Sequence, residues 1–340
     1  METATVRLKS HKLLVTTALV ERSELGSLSK FAKVYRSDAM DGKSIVNILP
    51  EVDSIILFSW PPFLAKENIS RMKRLRFIQS ILVGVNHIPF GNLGTDVVVS
   101  SNARAYSLEV GEHAWALLLA AAKKIPEHHS RIREGEMSMM AFAGAANGIM
   151  VLHGRILGII GYGGIGKMAA KFGRAFGMRV ITFTRQRKHD RSVWTHRERS
   201  ALKRLLKESD AVVLAVPLTR RTKGMIGEEE LHIMKKTSVL VNAARGDLVD
   251  QEALYSHLIA NPDFRYACDV WWLEQGRETL ETDFPLARLP NFIGTPHMSG
   301  PTGIASGRPA KLAVENMIRY LRGLRPNNVV DRSEYPSAQE

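Results

Sequence analysis

Between residues 12 and 102 short apolar or β-branched runs alternate with polar segments. KLLVTTAL (12–19), VDSIILFSW (52–60), LRFIQSI (75–81) and DVVVSSN (96–102) each have strand length. Polar stretches such as KENISRMKR lie between them, which predicts a parallel sheet with covering helices. Ser107 is placed to cap a helix through LEVGEHAWALLLAAAKK, with Lys123 and Lys124 at the end where the helix dipole favours cations. Residues 125–150, rich in Gly, Ala and Met, read as irregular, a hinge or an arm that contacts a partner.

From residue 155 a second alternation begins. RILGIIG, RVITFT, AVVLAVP, SVLVNAA, RYACDVW and NFIGTP read as strands, with helical segments between them. One helix is predicted over 165–176, where Ile165, Met168, Ala169, Phe172 and Phe176 share a face. Strands alternating with helices in this way predict a doubly wound sheet. A last helix starts near Pro309, buries Val314, Met317, Ile318 and Leu321, and stops at Gly323.

Composition narrows the class. A chain of 340 residues suits two domains, and 45% hydrophobic with 24% charged residues excludes disorder. The longest uncharged apolar run, AWALLLAAA (114–122), is too short to span a bilayer, and the N-terminus does not read as a secretory signal. A single cysteine, Cys268, excludes an internal disulfide and points to a reducing cytoplasm. The formal net charge of +13 favours anionic ligands. Nucleic acid is not expected, because the basic residues are dispersed and lack interleaved aromatics.

Gly161-Tyr162-Gly163-Gly164-Ile165-Gly166 fits G-x-G-x-x-G, directly after a predicted strand and at the start of an amphipathic helix. Gly161 permits the tight turn, Gly163 lets backbone approach a pyrophosphate, and Gly166 lets helix and strand pack closely. The next strand ends at Thr184, 18 residues after Gly166 and close to the spacing of about 20 at which an acidic residue would hold the ribose hydroxyls of NAD. Thr184 repels no phosphate, Arg185 can hold one bidentately, and Arg187 and Lys188 add charge. The stretch therefore predicts a 2′-phosphate site and NADP as the preferred cofactor, with NAD possible.

Arg245, Glu274 and His297 each follow a predicted strand, at the edge where open α/β sheets bind ligands. A guanidinium can grip a carboxylate and polarise a carbonyl. An imidazole can deliver a proton, and a carboxylate can orient it. With a nicotinamide, the three are equipment for reducing a 2-oxo acid. No metal site is expected.

LHGRILGIIGYGGIGK, VPLTRRTKGMIG, SVLVNAARGDLVDQEAL and FIGTPHMSG resemble signatures of the D-isomer-specific 2-hydroxyacid dehydrogenases. The Arg245-to-Glu274 interval of 29 and the Glu274-to-His297 interval of 23 are similar to those of the glyoxylate/hydroxypyruvate reductase and phosphoglycerate dehydrogenase branches. Family formate dehydrogenases carry Gln at the position of Glu274, which disfavours formate. The resemblance implies a Rossmann-type domain over 103–298 and a smaller flavodoxin-like α/β substrate domain built from 1–102 and 299–340, with hinge closure between them and a homodimer as the assembly. It makes Arg245, Glu274 and His297 the catalytic set. Asp269 becomes the partner of the nicotinamide carboxamide, and Val216, Pro217, Thr222, Ala243 and Ala244 line the cofactor. Val83, Gly84 and Val85 offer backbone N–H groups to the substrate carboxylate, and Asn102 stands at the cleft. The implied reaction is reduction of a glyoxylate- or hydroxypyruvate-type oxo acid with NADPH. The alternatives are a D-3-phosphoglycerate or D-lactate dehydrogenase, or a non-catalytic, corepressor-like NAD(P) sensor. Departures fall near the substrate: Arg104-Ala105 for Pro-Gly, Asn86 for Asp, and Trp271-Trp272 for Phe-Glu. The sequence leaves open whether the two tryptophans wall the pocket or fill it.

Overall fold

The computed structural model of the chain describes residues 11–137, 148–184, 194–196, 199–274, 277–280, 282–300 and 307–336. The chain divides into two compact units, Met1–Tyr106 with Pro301–Glu340, and Ser107–Gly300. No helix among the described residues is long and apolar enough to cross a membrane.

The first unit is a five-stranded parallel sheet of β1 (His11–Val15), β2 (Ala32–Arg36), β3 (Ser54–Leu57), β4 (Phe77–Ser80) and β5 (Val98–Ser100), in the order β2-β1-β3-β4-β5. This is the flavodoxin-like order. Its central strands are largely apolar because both faces are covered, with Ser54, Gln79 and Ser80 as buried polar exceptions. Leu14, Ile55, Leu57 and Ile78 join one core, while Leu13, Val15, Ile56 and Phe77 face the other. The second core is closed by the helix Arg308–Leu321, whose Val314, Met317 and Leu321 are buried and whose exit is turned by Gly323 at φ +72°. Strand β2 is not predicted from the sequence. It lies at the sheet edge and reads AKVYR, with two cations that suit an edge and hide the strand pattern.

The second unit holds β6 (Ile156–Ile160), β7 (Arg179–Phe183), β8 (Trp194–His196), β9 (Ala211–Leu214), β10 (Val239–Asn242), β11 (Arg265–Cys268) and β14 (Phe292–Gly294) in one parallel sheet. A two-residue antiparallel pair, β12 (Leu273–Glu274) and β13 (Arg277–Glu278), precedes β14. The sheet order β14-β11-β10-β9-β6-β7-β8 reverses direction at β6, so the loop after β6 opens at the topological switch point. The helix Gly164–Ala175 packs on the helix Ser107–Ala122 so closely that a methyl on Gly111 would lie 3.3 Å from Met168 Cγ. Trp115 meets the rings of Phe172 and Phe176 there. The expectation of irregular chain from 125 is corrected over its first part: Lys124, at φ +52°, breaks the preceding helix, and Ile125–Arg133 forms another with Pro126 in its first turn. Residues 138–147 lie outside the described part.

Candidate active site

The glycine loop has different reasons for each glycine. Gly161 adopts φ +99°, where a β-carbon would sit 2.8 Å from Val216 Cγ1, and its N–H donates to Phe183 O at 2.8 Å. At Gly166 a β-carbon would run into Gly161 O and approach Ile159 Cγ2 to 3.1 Å. Gly163 is exposed, and none of the described residues lies within 4 Å of where its β-carbon would be. Gly163 also caps the helix, leaving the N–H groups of Gly164, Ile165 and Gly166 without carbonyl partners in the preceding turn. A clear backbone approach beside a row of free donors is what an anion needs, so these residues fit a dinucleotide pyrophosphate. Tyr162 is 3% exposed, so its ring belongs to the core and only its backbone can face a ligand. Its expected place among the cofactor contacts is therefore one for its backbone.

The Gly161–Phe183 hydrogen bond draws the end of β7 against the glycine loop, and half-buried Thr184 follows immediately. Arg185, Arg187 and Lys188 lie outside the described residues. Across the switch point, Val216 is half-buried and Pro217 exposed after β9. Thr222 closes this loop, donating to Pro217 O at 2.7 Å and accepting from Thr219 N at 2.8 Å.

Strands β10, β11 and β14 are neighbours and parallel, so the three chemical loops leave one edge side by side. After β10, fully buried Asn242 pins the turn: its Nδ2 donates to Arg245 O at 2.8 Å and its Oδ1 accepts from Ala244 N at 3.1 Å. Ala243 and Ala244 are buried beneath half-buried Arg245, whose Nη1 donates to Ala244 O at 2.6 Å. Gly246 lies so close to the 271–272 backbone that a β-carbon would sit 2.6 Å from Trp272 N, which locks this loop to the one after β11. Half-buried Asp247 has its carboxyl pushed up by burial; Lys223 pulls it back and nearby Glu278 pushes the same way as burial.

Exposed His297 receives a carboxylate, and the described one is Glu278: His297 Nδ1 and Glu278 Oε2 are 2.7 Å apart. The side chain of Glu274 lies outside the described residues. Glu278, four residues on, is not singled out by the sequence, where it stands in no strand or motif pattern; in the structure it lies on β13 opposite Leu273. Asp269 is fully buried. Burial opposes its ionisation, but hydrogen bonds from Ser299 and Thr295 and the backbone N–H groups of Met298 and Ser299 outweigh it and hold the carboxyl below its ordinary range. The tryptophans have separate tasks. Trp272 is buried in the core and donates to Val249 O, while Trp271 packs over Phe292 and Gly294 and donates to Thr295 O.

In the first unit, Val85 is buried in the core and anchors the half-buried Val83–Gly84 backbone. Asn102 is 3% exposed, and both Nδ2 bonds go inward, to Ile81 O at 2.9 Å and Pro309 O at 2.8 Å. Expected among the substrate-binding residues, Asn102 serves in the structure as a brace that ties the loop after β4 to the last helix.

A parallel sheet with a phosphate-type glycine loop at its switch point and a guanidinium and a carboxylate-backed imidazole on the same rim is the architecture of a dinucleotide-dependent oxidoreductase. The profile for the D-isomer specific 2-hydroxyacid dehydrogenase NAD binding domain matches residues 115–299. A glyoxylate reductase of Korarchaeum cryptofilum is 33% identical over 332 residues, covering 94% of this chain and 96% of that one. A D-3-phosphoglycerate dehydrogenase of Methanocaldococcus jannaschii is 31% identical over 96% of this chain and 60% of its own. A crystal structure from Pyrobaculum aerophilum, described as a candidate formate dehydrogenase, superimposes with a TM-score of 0.81 at 28% identity, covering 95% of this chain and 99% of that one. The chain belongs to the D-isomer specific 2-hydroxyacid dehydrogenase family.

Proposed function

We propose that this chain reduces a small 2-oxo acid of the glyoxylate or hydroxypyruvate type to the D-2-hydroxy acid, with NADPH as the preferred cofactor. The observation that carries the reading is the 2.7 Å pair of His297 and Glu278 on the rim that also bears Arg245. A bound reduced nicotinamide supplies the hydride that goes to C2 of the oxo acid. Gly163–Gly166 would hold its pyrophosphate, Val216, Pro217, Thr222, Ala243 and Ala244 would line it, and Asp269 would face its carboxamide side.

This chain's residues do the rest. Arg245 grips the substrate carboxylate with two donors and draws electron density toward the C2 oxygen. His297 keeps Nδ1 on Glu278, so Nε2 is the nitrogen left for the substrate and delivers its proton to the oxygen of the former carbonyl. Glu278, with Glu274 on the same hairpin, balances the imidazolium charge until that proton leaves. His297 then recovers a proton from water. A D-3-phosphoglycerate or D-lactate dehydrogenase activity would use the same steps, and a panel of oxo acids assayed with both cofactors separates these.

The preference for NADPH is supported by Thr184 at the end of β7, beside the glycine loop, and by the cationic run after it. KM for NADPH is expected well below that for NADH, and Arg185→Ala narrows the gap; equal KM values in the unmodified enzyme overturn the preference. A homodimer belongs to the same proposal. Ile125, Ile132, Ile149 and Val151 are large exposed apolar residues of the second unit, and a second copy would cover them. Light scattering that gives a monomer overturns this.

A further inference from the structure

The loop carrying His297 is held from behind by hydrogen bonds that the steps above do not use. Asp269 Oδ1 accepts from Thr295 Oγ1 at 2.6 Å and from Met298 N at 2.9 Å, and Oδ2 accepts from Ser299 N at 2.9 Å. Thr295 Oγ1 in turn lies 2.9 Å from His113 Nε2, on the helix Ser107–Ala122, and that nitrogen is 3.5 Å from Asp269 Oδ1. A threonine hydroxyl has one proton and an ionised carboxylate has none. Thr295 gives its proton to Asp269 at the shortest contact, in preference to Cys268 O at 3.4 Å, so toward His113 it can only accept. The chain runs one way, from His113 Nε2–H through Thr295 to Asp269, and it fixes the proton of His113 on Nε2.

What this chain steadies is strained. His297 has φ +50°, a region that is unfavourable for a residue with a β-carbon and persists only where the surroundings impose it. Its own N–H turns back to Thr295 O at 3.0 Å, and the next two amides are the ones Asp269 clamps. Trp271 Nε1 holds Thr295 O from the other side at 2.9 Å.

We propose that His113 and Thr295 are positioning residues that aim His297 by fixing the Asp269 carboxylate against the Met298 and Ser299 amides. The proposal rests on the reading of His297 as proton donor. It is tested in the full-length chain with His113→Phe, His113→Gln, Thr295→Val and Thr295→Ser, read by turnover of an oxo acid and by the NMR positions of the Met298 and Ser299 amides. Phe and Val are expected to lower kcat by about 10- to 100-fold. KM for oxo acid and dinucleotide stays within about twofold, and both amide resonances move. His113→Gln, which keeps an N–H at similar reach, and Thr295→Ser restore kcat and the amide positions. The proposal is overturned if Phe and Val turn over like the wild type with unmoved amides, or if Gln is as impaired as Phe. Should His113→Phe fail to fold, the Val/Ser pair at 295 gives the same decision. A wild-type chain that reduces no oxo acid overturns the proposed function instead, while the amide positions still decide the clamp.

Discussion

Replacing Gly163 and Gly166 separately by alanine pulls apart two reasons for a glycine in one motif. At Gly166 the new methyl meets Gly161 O and sits 3.1 Å from Ile159 Cγ2, between a helix and a strand that cannot both move. Overpacking of this kind costs about 2–3 kcal/mol, which for a unit of this length lowers the unfolding midpoint by about 4–12 °C. At Gly163 the backbone is at φ −80° and no atom of the described residues lies within 4 Å of the new methyl. The small gain from a stiffer unfolded chain and the small loss at a helix cap nearly cancel, within about 1 kcal/mol. The ligand is affected instead. The methyl points where a pyrophosphate would approach, and losing one charge-assisted hydrogen bond of about 1.5–3 kcal/mol weakens binding by about 10- to 100-fold. Thermal unfolding without ligand and calorimetric titration with NADPH read the two effects independently. Gly163→Ala binding as tightly as the wild type would remove the pyrophosphate from this loop. Gly163→Ala melting as early as Gly166→Ala would refute the packing argument.

The other expectations are narrower. Glu278→Gln lowers kcat by about 10- to 100-fold while dinucleotide affinity holds; if Glu274→Gln is the damaging change and Glu278→Gln is silent, the pairing with His297 is not the working one. Asp210 accepts from Ile156 N at 2.8 Å, Lys235 Nζ at 2.9 Å and Arg155 Nη1 at 3.3 Å. Burial opposes its charge, but these donors prevail and keep its carboxyl below the ordinary 3.8. Its stabilisation is complete above that value and is lost as pH falls through the lower folded one. Asp210→Asn is therefore less stable than the wild type by about 1–2 kcal/mol at neutral pH, and denaturant unfolding shows the difference closing in acid. Cys268 is fully buried, and burial pushes its thiol well up, so a thiol reagent labels it only after denaturation.

The central strands are readable from the sequence because a parallel strand covered on both faces has little that is polar to interrupt it, as in ILGII and AVVL. Two of the edge strands are not: AKVYR in the first unit and WTH in the second carry polar residues that break the apolar pattern, whereas the edge strands VVS and FIG lie in runs the sequence marks. The site divides the same way. Arg245 and His297 announce themselves because strand ends on one edge must converge. Glu278 does not, since the two-residue strand that brings it to His297 is too short to leave a pattern in the sequence. Asn102 and Asp269 look alike in sequence as polar residues after strands, yet both spend their hydrogen bonds inside the protein. The part played by Trp272 is left open by the sequence, and the structure places it in the core with its indole N–H on Val249 O.

The most direct test follows the absorbance of reduced nicotinamide while glyoxylate or hydroxypyruvate is added to the unmodified chain and to His297→Asn. The unmodified chain should oxidise NADPH and yield the D-hydroxy acid, and the variant should lose about 1000-fold in kcat with dinucleotide affinity intact. No oxidation with any 2-oxo acid, or full turnover in the variant, would contradict proton delivery from this rim.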